Sequence, residues 1–444
     1  MSLLSNALSG LNAANTALLV SGQNVSNATV EGYSRQAAEF GTAQGAYNGV
    51  SVISVDRIVN SFLNDDIWRT QSDLSHYEGY QTYLGYIEEL VGTDSLNFND
   101  AIANITNALS ASMSNPESTA YRQELLATSE GLVQKIAQLN SAMEDQTIKL
   151  GKEMNDVAKN ASSVLSSLAQ YNSKIAVATA KGEPTAQLAD ARERLVTELS
   201  SLIGVSTNLR ADGRMDISTV NGAPLVIGDS PAVITTSGTD VEVALGNEIF
   251  TLGDTVGGRL GGLIAVNEQI LVPSGVAIDD IISQLADDVN NALHQGFDLN
   301  GDPGIPLFTY NATDPAGTFA VNSAMEVDKL AYIGGKYDAF GVWVPTGSVG
   351  DNQNIEGIIA AFNGQQDKYT TLVGDLATSS RQNQNSVSTA SVLSENAVLA
   401  RDSISAVNLD EEAANIMQFQ QLYQANAKVI STADELFNTL LAAF

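Results

Sequence analysis

Few residues in this chain are spaced as chemistry requires. Its two histidines, His76 and His294, lie far apart in sequence, with no second ligand at helical spacing, so neither is set up to bind a metal or act as a base. His76 sits beside Tyr77 and Tyr80 on an expected helix and reads as a structural side chain. There is no cysteine, which removes disulfides, thiolate metal sites and cysteine nucleophiles. Asp298-Leu299-Asn300-Gly301-Asp302 opens like a calcium loop, yet Pro303 stands where glycine makes the turn and Thr309 where a glutamate closes the shell; an Asx-type turn is the better reading. No phosphate-cradling, dinucleotide or nucleophile-elbow motif is present, and the glycines of Gly257-Gly258-Arg259-Leu260-Gly261-Gly262 have the spacing of none of them. That run is expected to join a strand to a helix. Carboxylates are abundant, but nothing nominates a catalytic pair. The expectation is a non-enzymatic protein with no catalytic residue, cofactor or metal.

The 444 residues suffice for about three domains at roughly 150 residues each. Lys and Arg number 21 against 51 Asp and Glu, a net charge of −30, which argues against nucleic acid and anionic lipid as partners. Little of that charge is at the ends. Residues 1–40 carry only Glu31, Glu39 and Arg35, and residues 401–444 carry Arg401 and Lys428 against six acids. Such a division suits a molecule whose ends pack on copies of itself while its middle faces water. The N-terminus lacks the basic start and apolar run of a secretory signal, and no membrane span is expected, so export would need another route.

The strongest pattern is an apolar residue every seven, the period at which one face of a helix meets a partner. Leu4, Leu11, Leu18 and Val25 keep it near the start, with Ala7 and Ala14 as small second positions. Ile136, Met143, Leu150, Val157, Val164 and Tyr171 keep it in the middle, seconded by Met154, Ala161, Leu168 and Ile175. Leu409, Ile416, Tyr423, Ile430, Phe437 and Phe444 keep it at the end. The middle helix is expected from Asn115-Pro116-Glu117 to Lys181-Gly182, some 60 residues, or roughly 90 Å. Shorter helices are expected over 58–92 and 98–114, and one doubling back from Leu188 to Leu202. Between 205 and 253 the period falls to two, with turns at Asp212-Gly213, Asn221-Gly222 and Gly246-Asn247, the marks of antiparallel hairpins. Helical spacing resumes around Pro273. Residues 296–350 read as irregular surface structure with short strands, and 378–396, rich in Ser, Asn and Gln, as a solvated helix.

The chain is thus expected to be mainly α with a smaller β part: paired terminal helices, a long helical bundle and an inserted antiparallel β domain. Residues 1–55 with 385–444 would form a terminal coiled-coil domain, and 56–204 with 257–300 and 351–384 a helical rod. Residues 205–256 would be the β insertion and 301–350 a surface segment. The terminal stripes look unfinished. Gly10 and Gly22 each cost about 1 kcal/mol in a helix, and Phe437, Leu441 and Phe444 sit at the very end of the chain. Their expected partner is the opposite terminus or another subunit, which makes Leu4, Leu11, Leu18, Val25, Leu409, Ile416, Tyr423, Ile430, Phe437 and Phe444 the candidate assembly interface.

Ser9-Gly10-Leu11-Asn12-Ala13-Ala14, with Asn24-Val25-Ser26-Asn27 and Gly32-Tyr33-Ser34-Arg35-Gln36, resembles the N-terminal signature of bacterial flagellar rod, hook and hook-associated proteins. Val407-Asn408-Leu409-Asp410-Glu411-Glu412, Gln418-Phe419-Gln420-Gln421, Tyr423 and Ala425-Asn426-Ala427 resemble the matching C-terminus of the hook-associated members. Ala191-Arg192-Glu193-Arg194-Leu195-Val196, Gly296 to Asp302 and Gly350 to Asn354 also look familiar; the β insertion and 305–350 match poorly. The resemblance implies a structural role at the junction between hook and filament, outside the cell, after flagellum-specific type III export. It implies as partners further copies of the chain, the hook protein, a second junction protein, and an export chaperone on the C-terminal helix. Another axial component, or an axial scaffold carrying an adhesin or hydrolase insertion, is the alternative.

Overall fold

The computed structural model describes residues 2–42, 49–93 and 96–442. From the N-terminus come α1 (Ser2–Asn27), a hairpin of β1 (Gln36–Thr42) and β2 (Val50–Arg57), then α2 (Ser61–Gly92), α3 (Phe98–Ser112), the 63-residue α4 (Thr119–Lys181) and α5 (Ala186–Leu202), which doubles back along α4. Helix α4 starts one turn later than its sequence suggests. Asn115–Ser118 closes as a separate turn, with Ser118 N–H on Asn115 O at 3.1 Å. Gly182 ends the helix in the left-handed region at φ 72°, open to a residue without Cβ. Its seven-residue stripe is buried from Ile136 to Val164, with Tyr171 half-buried. Full burial of leucines such as Leu150, Leu165 and Leu168 contributes about 1.5 to 3 kcal/mol each.

The insertion consists of two small antiparallel sheets. One holds β3 (Val205–Leu209), β4 (Met215–Thr219), β5 (Pro224–Ile227) and β6 (Ser230–Pro231); the other holds β7 (Val233–Ser237), β8 (Asp240–Leu245) and β9 (Glu248–Leu252). Both lie against α4. The Asn172 side chain donates to Met215 O and Gly228 O, each at 2.7 Å, and accepts from Met215 N–H. The glycine run beginning at Gly257 then turns the chain from sheet to helix as expected, with Gly257 and Gly258 both at positive φ.

The next helix is continuous through Pro273. It comprises α6 (Gly258–Val266), a π-helical turn (Asn267–Leu271) and α7 (Val272–His294). Proline brings no N–H and crowds the preceding turn, and a widened turn just upstream, with Val272 N–H on Asn267 O, accommodates it without a break. This helix is long and apolar enough to cross a membrane on composition alone, but Leu260, Leu263, Val266, Ile282 and Leu285 are in the protein core.

Residues 296–345 hold β10 (Gly296–Phe297), β11 (Phe308–Thr309), a single turn α8 (Pro315–Thr318), β12 (Ala320–Val321), β13 (Ile333–Tyr337) and β14 (Trp343–Pro345). The expectation of a surface segment needs correction. Leu307, Phe308, Leu330 and Tyr332 are fully buried against the helices. Arg122 holds the segment to the start of α4: its Nε donates to Pro116 O (2.6 Å), its Nη1 to Leu330 O (2.7 Å), and its guanidinium lies 4.3 Å from the Tyr332 ring centre. Burial lowers the Arg122 pKa, yet carbonyls rather than a carboxylate receive its protons. Asp298 caps an Asx turn, its Oδ1 accepting from Asn300 and Asp302 N–H.

Helix α9 (Gln353–Ser405) packs on α7 and α3 and then on α2; α10 (Leu409–Ala442) follows a break at 406–408. The stretch 378–396 is not solvated on all sides. Ser380, Asn383, Ala390 and Ser394 are buried, and the Asn383 amide donates to Tyr77 O at 2.9 Å. Most of the stretch is exposed as expected, and its small side chains let one face of α9 sit against α2.

Candidate assembly interface

Helices α1 and α10 pair antiparallel: Gly10 faces Asn426, and Ala17 and Ser21 lie with Glu412, Asn415 and Phe419. A Cβ on Gly10 would fall 2.8 Å from the Asn426 amide. The seam on α1 is Ala7, Gly10, Ala14, Ala17, Ser21 and Asn24, alternating steps of three and four, and every member but Gly10 is buried. All are small or short. Their large neighbours are left outside, with Leu8 52 % and Leu19 61 % exposed.

Of the candidate residues, Leu11, Leu18, Ile416 and Ile430 are half-buried, while Leu4, Val25, Leu409, Tyr423 and Phe437 are exposed; Phe444 lies outside the described residues. The leucine stripe of α1 therefore does not form the seam. Ala7 and Ala14, its small second positions, do. Interaxial distance follows the side chains at the contact, and an alanine seam draws two helices together.

The signature residues build the joint behind this pair. Asn24 holds the Gln36 backbone from both sides, donating to its carbonyl (2.8 Å) and accepting from its N–H (2.9 Å), and Tyr33 Oη donates to the same Asn24 Oδ1. Gly32 stands at φ 72°, with Arg194 where a Cβ would point. Arg35 reaches the first turn of α10, its Nε on Glu412 (2.7 Å) and its Nη1 on Glu411 (2.8 Å). Asn408 caps that turn by accepting from Asp410 N–H at 3.0 Å. Phe419 meets Phe40 of the hairpin at 6.3 Å between ring centres.

Arg57, at the end of β2, ties this unit to the rod. Its Nε forms an ion pair with Asp190 of α5 (2.7 Å), its Nη1 and Nη2 hold both oxygens of Glu193, and Nη2 also donates to Ser34 (3.2 Å). Burial pushes the Asp190 carboxyl up, and Arg57 pulls it part of the way back. Burial also lowers Arg57, but Glu193 and Asp190 outweigh it and hold the guanidinium above its usual value. Neighbouring Arg192, buried against Asn172, is pushed down to about 10. The sequence motifs contain most of these residues without revealing which pairs with which.

A cleft of about 470 Å³ opens beside the joint, lined in part by Val30, Tyr33, Ile67, Trp68 and Val407. Two of its acids are already engaged, Glu193 by Arg57 and Asp402 by Arg401. Among the described residues no cluster of three or more His, Asp or Glu is placed to hold a metal.

Paired terminal helices, a jointed helical rod and a lateral β insertion define a structural protein of elongated, assembling type. Residues 84–308, just over half of the chain, match the family described as the flagellar hook-associated protein FlgK helical domain, and residues 401–443 match the C-terminal family of flagellar basal body rod FlgEFG proteins. The chain belongs to the flagellar hook-associated protein FlgK family, and with it is a structural component of the bacterial flagellum, not an enzyme. It is similar to flagellar hook-associated protein 1 of Escherichia coli (25 % identical, 99 % of each chain covered) and of Bacillus subtilis (24 % identical, covering 99 % of this chain and 97 % of the other). The Escherichia coli alignment runs over 545 positions against the 444 residues here, so that relative carries segments this chain lacks. The structure titled flagellar hook junction protein FlgK from Burkholderia pseudomallei shares the fold, with TM-score 0.68 and 15 % identity over 77 % of this chain and all of that one.

Proposed function

We propose that this chain is a junction-zone adaptor outside the cell, joining flagellar hook to filament through its terminal helices. The observation that carries the reading is the helical pair itself, to which α1 contributes a seam of small residues while Leu4, Leu8, Leu19, Leu436 and Phe437 remain exposed. Such side chains are partly hydrated in the monomer and gain about 25 cal/mol per Å² when covered by neighbours. Residues 1–55 with the C-terminal helix form the inner tube wall, and the acidic rod and β insertion form the outer layers. The C-terminal share of that wall begins at the 406–408 break rather than at 385, since 385–405 packs on α2. Partners are further copies of the chain in a ring or tube layer, the hook protein on one side and a second junction protein on the other. Before export, a chaperone covers the apolar C-terminal helix. Immunogold labelling of intact flagella tests this reading: a band confined to the hook–filament boundary is expected, and label along the filament or over the hook body would reject it.

A further inference from the structure

Between α1, β1 and the first turns of α10 lies a small cavity of about 90 Å³. Its wall includes Ser21 of α1, Ala38 of β1, and Glu412 and Asn415 of α10. Glu412 is only 1 % exposed, and its two oxygens differ. Oε1 accepts from Arg35 Nε at 2.7 Å, whereas Oε2 is sealed from solvent and has no hydrogen-bond partner among the described residues. A buried carboxylate oxygen without a partner has lost its hydration and gained nothing in exchange, so it calls for a donor or a cation.

The charges around it favour a cation. Among the described residues Arg35 is the only base paired with Glu412, and it is shared with Glu411. The neighbouring elements add none within reach. Helix α1 has no Lys or Arg from Ser2 to Asn27, Arg57 of the hairpin is committed to Asp190 and Glu193, and Lys428, the next base along α10, stands about 24 Å farther down the helix. The positive end of the α10 dipole offsets part of the excess, but Asp410 draws on the same turn. One negative charge is left over where the dielectric is low.

The cavity suits a single small ion. Neutral oxygens join Oε2 at its wall, from the Ser21 hydroxyl and the Asn415 amide. Alternate residues of an antiparallel strand turn their backbone groups to the same side; Gln36 gives its pair to Asn24, and Ala38, two residues on, faces the same way. A water takes about 30 Å³ of liquid, so the space holds about three waters, or one ion with one or two. A calcium ion gathers roughly six to eight oxygens and favours several carboxylates. One carboxylate among neutral oxygens matches a monovalent ion instead, for which carbonyl-type oxygens can replace the hydration shell. We infer that this cavity binds an alkali-metal cation, Na⁺ or K⁺, between Glu412 Oε2 and the oxygens of Ser21, Asn415 and Ala38. The ion ties the two ends of the chain together where Arg35 meets α10.

Hydrogen exchange of the full chain tests the site, with NaCl or KCl replacing tetramethylammonium chloride at fixed ionic strength. Tetramethylammonium screens charge as well, but its methyl groups leave no room for oxygen ligands. Amides in 17–38 and 409–419 should exchange about fivefold more slowly once one alkali salt reaches about four times its dissociation constant, while α4 amides do not respond. The more effective salt identifies the ion. Asp410→Asn removes an exposed charge from the same turn and should keep the response, whereas Glu412→Gln should abolish it. Ser21→Ala keeps the seam small and should require at least about twice the salt for the same protection; it decides the matter if Glu412→Gln loosens the terminal pair by itself. Equal exchange in all three salts would mean that water or a proton satisfies Oε2, and would overturn the ion. A response unchanged in both Glu412→Gln and Ser21→Ala would put the ion elsewhere and overturn the site.

Discussion

The rod and the terminal pair both repeat apolar residues every seven, yet they orient them differently. In the rod the large members of the repeat face inward, and Leu150, Leu165 and Leu168 are shut off from water. On α1 of the terminal pair alanines face inward and leucines outward, with Leu3, Leu8 and Leu19 more than half exposed. A seven-residue period thus announces a helical partner without saying which residues face it. Size separates the two cases: large residues close the core of the rod, whereas on α1 small ones line the contact with α10 and larger side chains stay exposed.

The comparison breaks most visibly on truncation. Leu165→Ala should cost about 2 to 5 kcal/mol of unfolding free energy, through lost burial and the cavity left behind, whereas Leu19→Ala should stay within about 0.5 kcal/mol. Urea titration of the two variants reads the difference, and equal losses would erase the distinction. The joint comes next. Arg57→Met leaves Asp190 buried without its cation and should cost about 3 to 5 kcal/mol, most of it recovered when Asp190→Leu is added. The same denaturation series decides this, with failure of the double variant to recover counting against the ion pair.

A smaller effect sharpens the seam. Ala14→Leu overfills a contact made for alanine and should cost about 1 to 3 kcal/mol, seen as faster hydrogen exchange in α1 and α10 with the α4 amides still protected. The smallest concerns pH. Burial holds the His76 pKa below 6.5, with Asp73 and Asp254 opposing only in part. The unfolded chain therefore takes up the proton first, and stability declines as pH falls below about 6.5 until the folded value is passed. His76→Gln should flatten that slope between pH 7.5 and 5.5.

Much of the fold is readable in the sequence where one signal acts alone. The stripe from Ile136 to Val164 sets the middle helix, and the two-residue period after Val205 sets the hairpins. Legibility fails where two requirements compete. The leucines at 4, 11 and 18 outrank Ala7 and Ala14 in hydrophobicity, so the sequence points to them as the seam, while the close approach of α1 and α10 selects the alanines. The polar run at 378–396 suggests solvent, and most of it is exposed, but hydrophobicity alone does not show that Ser380 and Asn383 sit against α2. Phe308 and Tyr332 lie amid Gly, Pro and Asp without periodicity, and their partners, Phe319 and Phe362 for the one and Arg122 for the other, are brought together only by the folded chain. At the joint, Asn24, Tyr33, Arg35 and Glu412 are visible as motif residues, but their pairing across almost the whole chain is not.

On the junction reading, the exposed leucines of α1 serve neighbours rather than the monomer. Leu8→Asp tests it most directly, measured as the urea midpoint of the purified chain beside filament retention on cells producing it. The account predicts an unchanged midpoint and cells that shed their filaments at the hook; filaments retained as in the unsubstituted strain, or a midpoint that falls as far as that of Leu165→Ala, would contradict it.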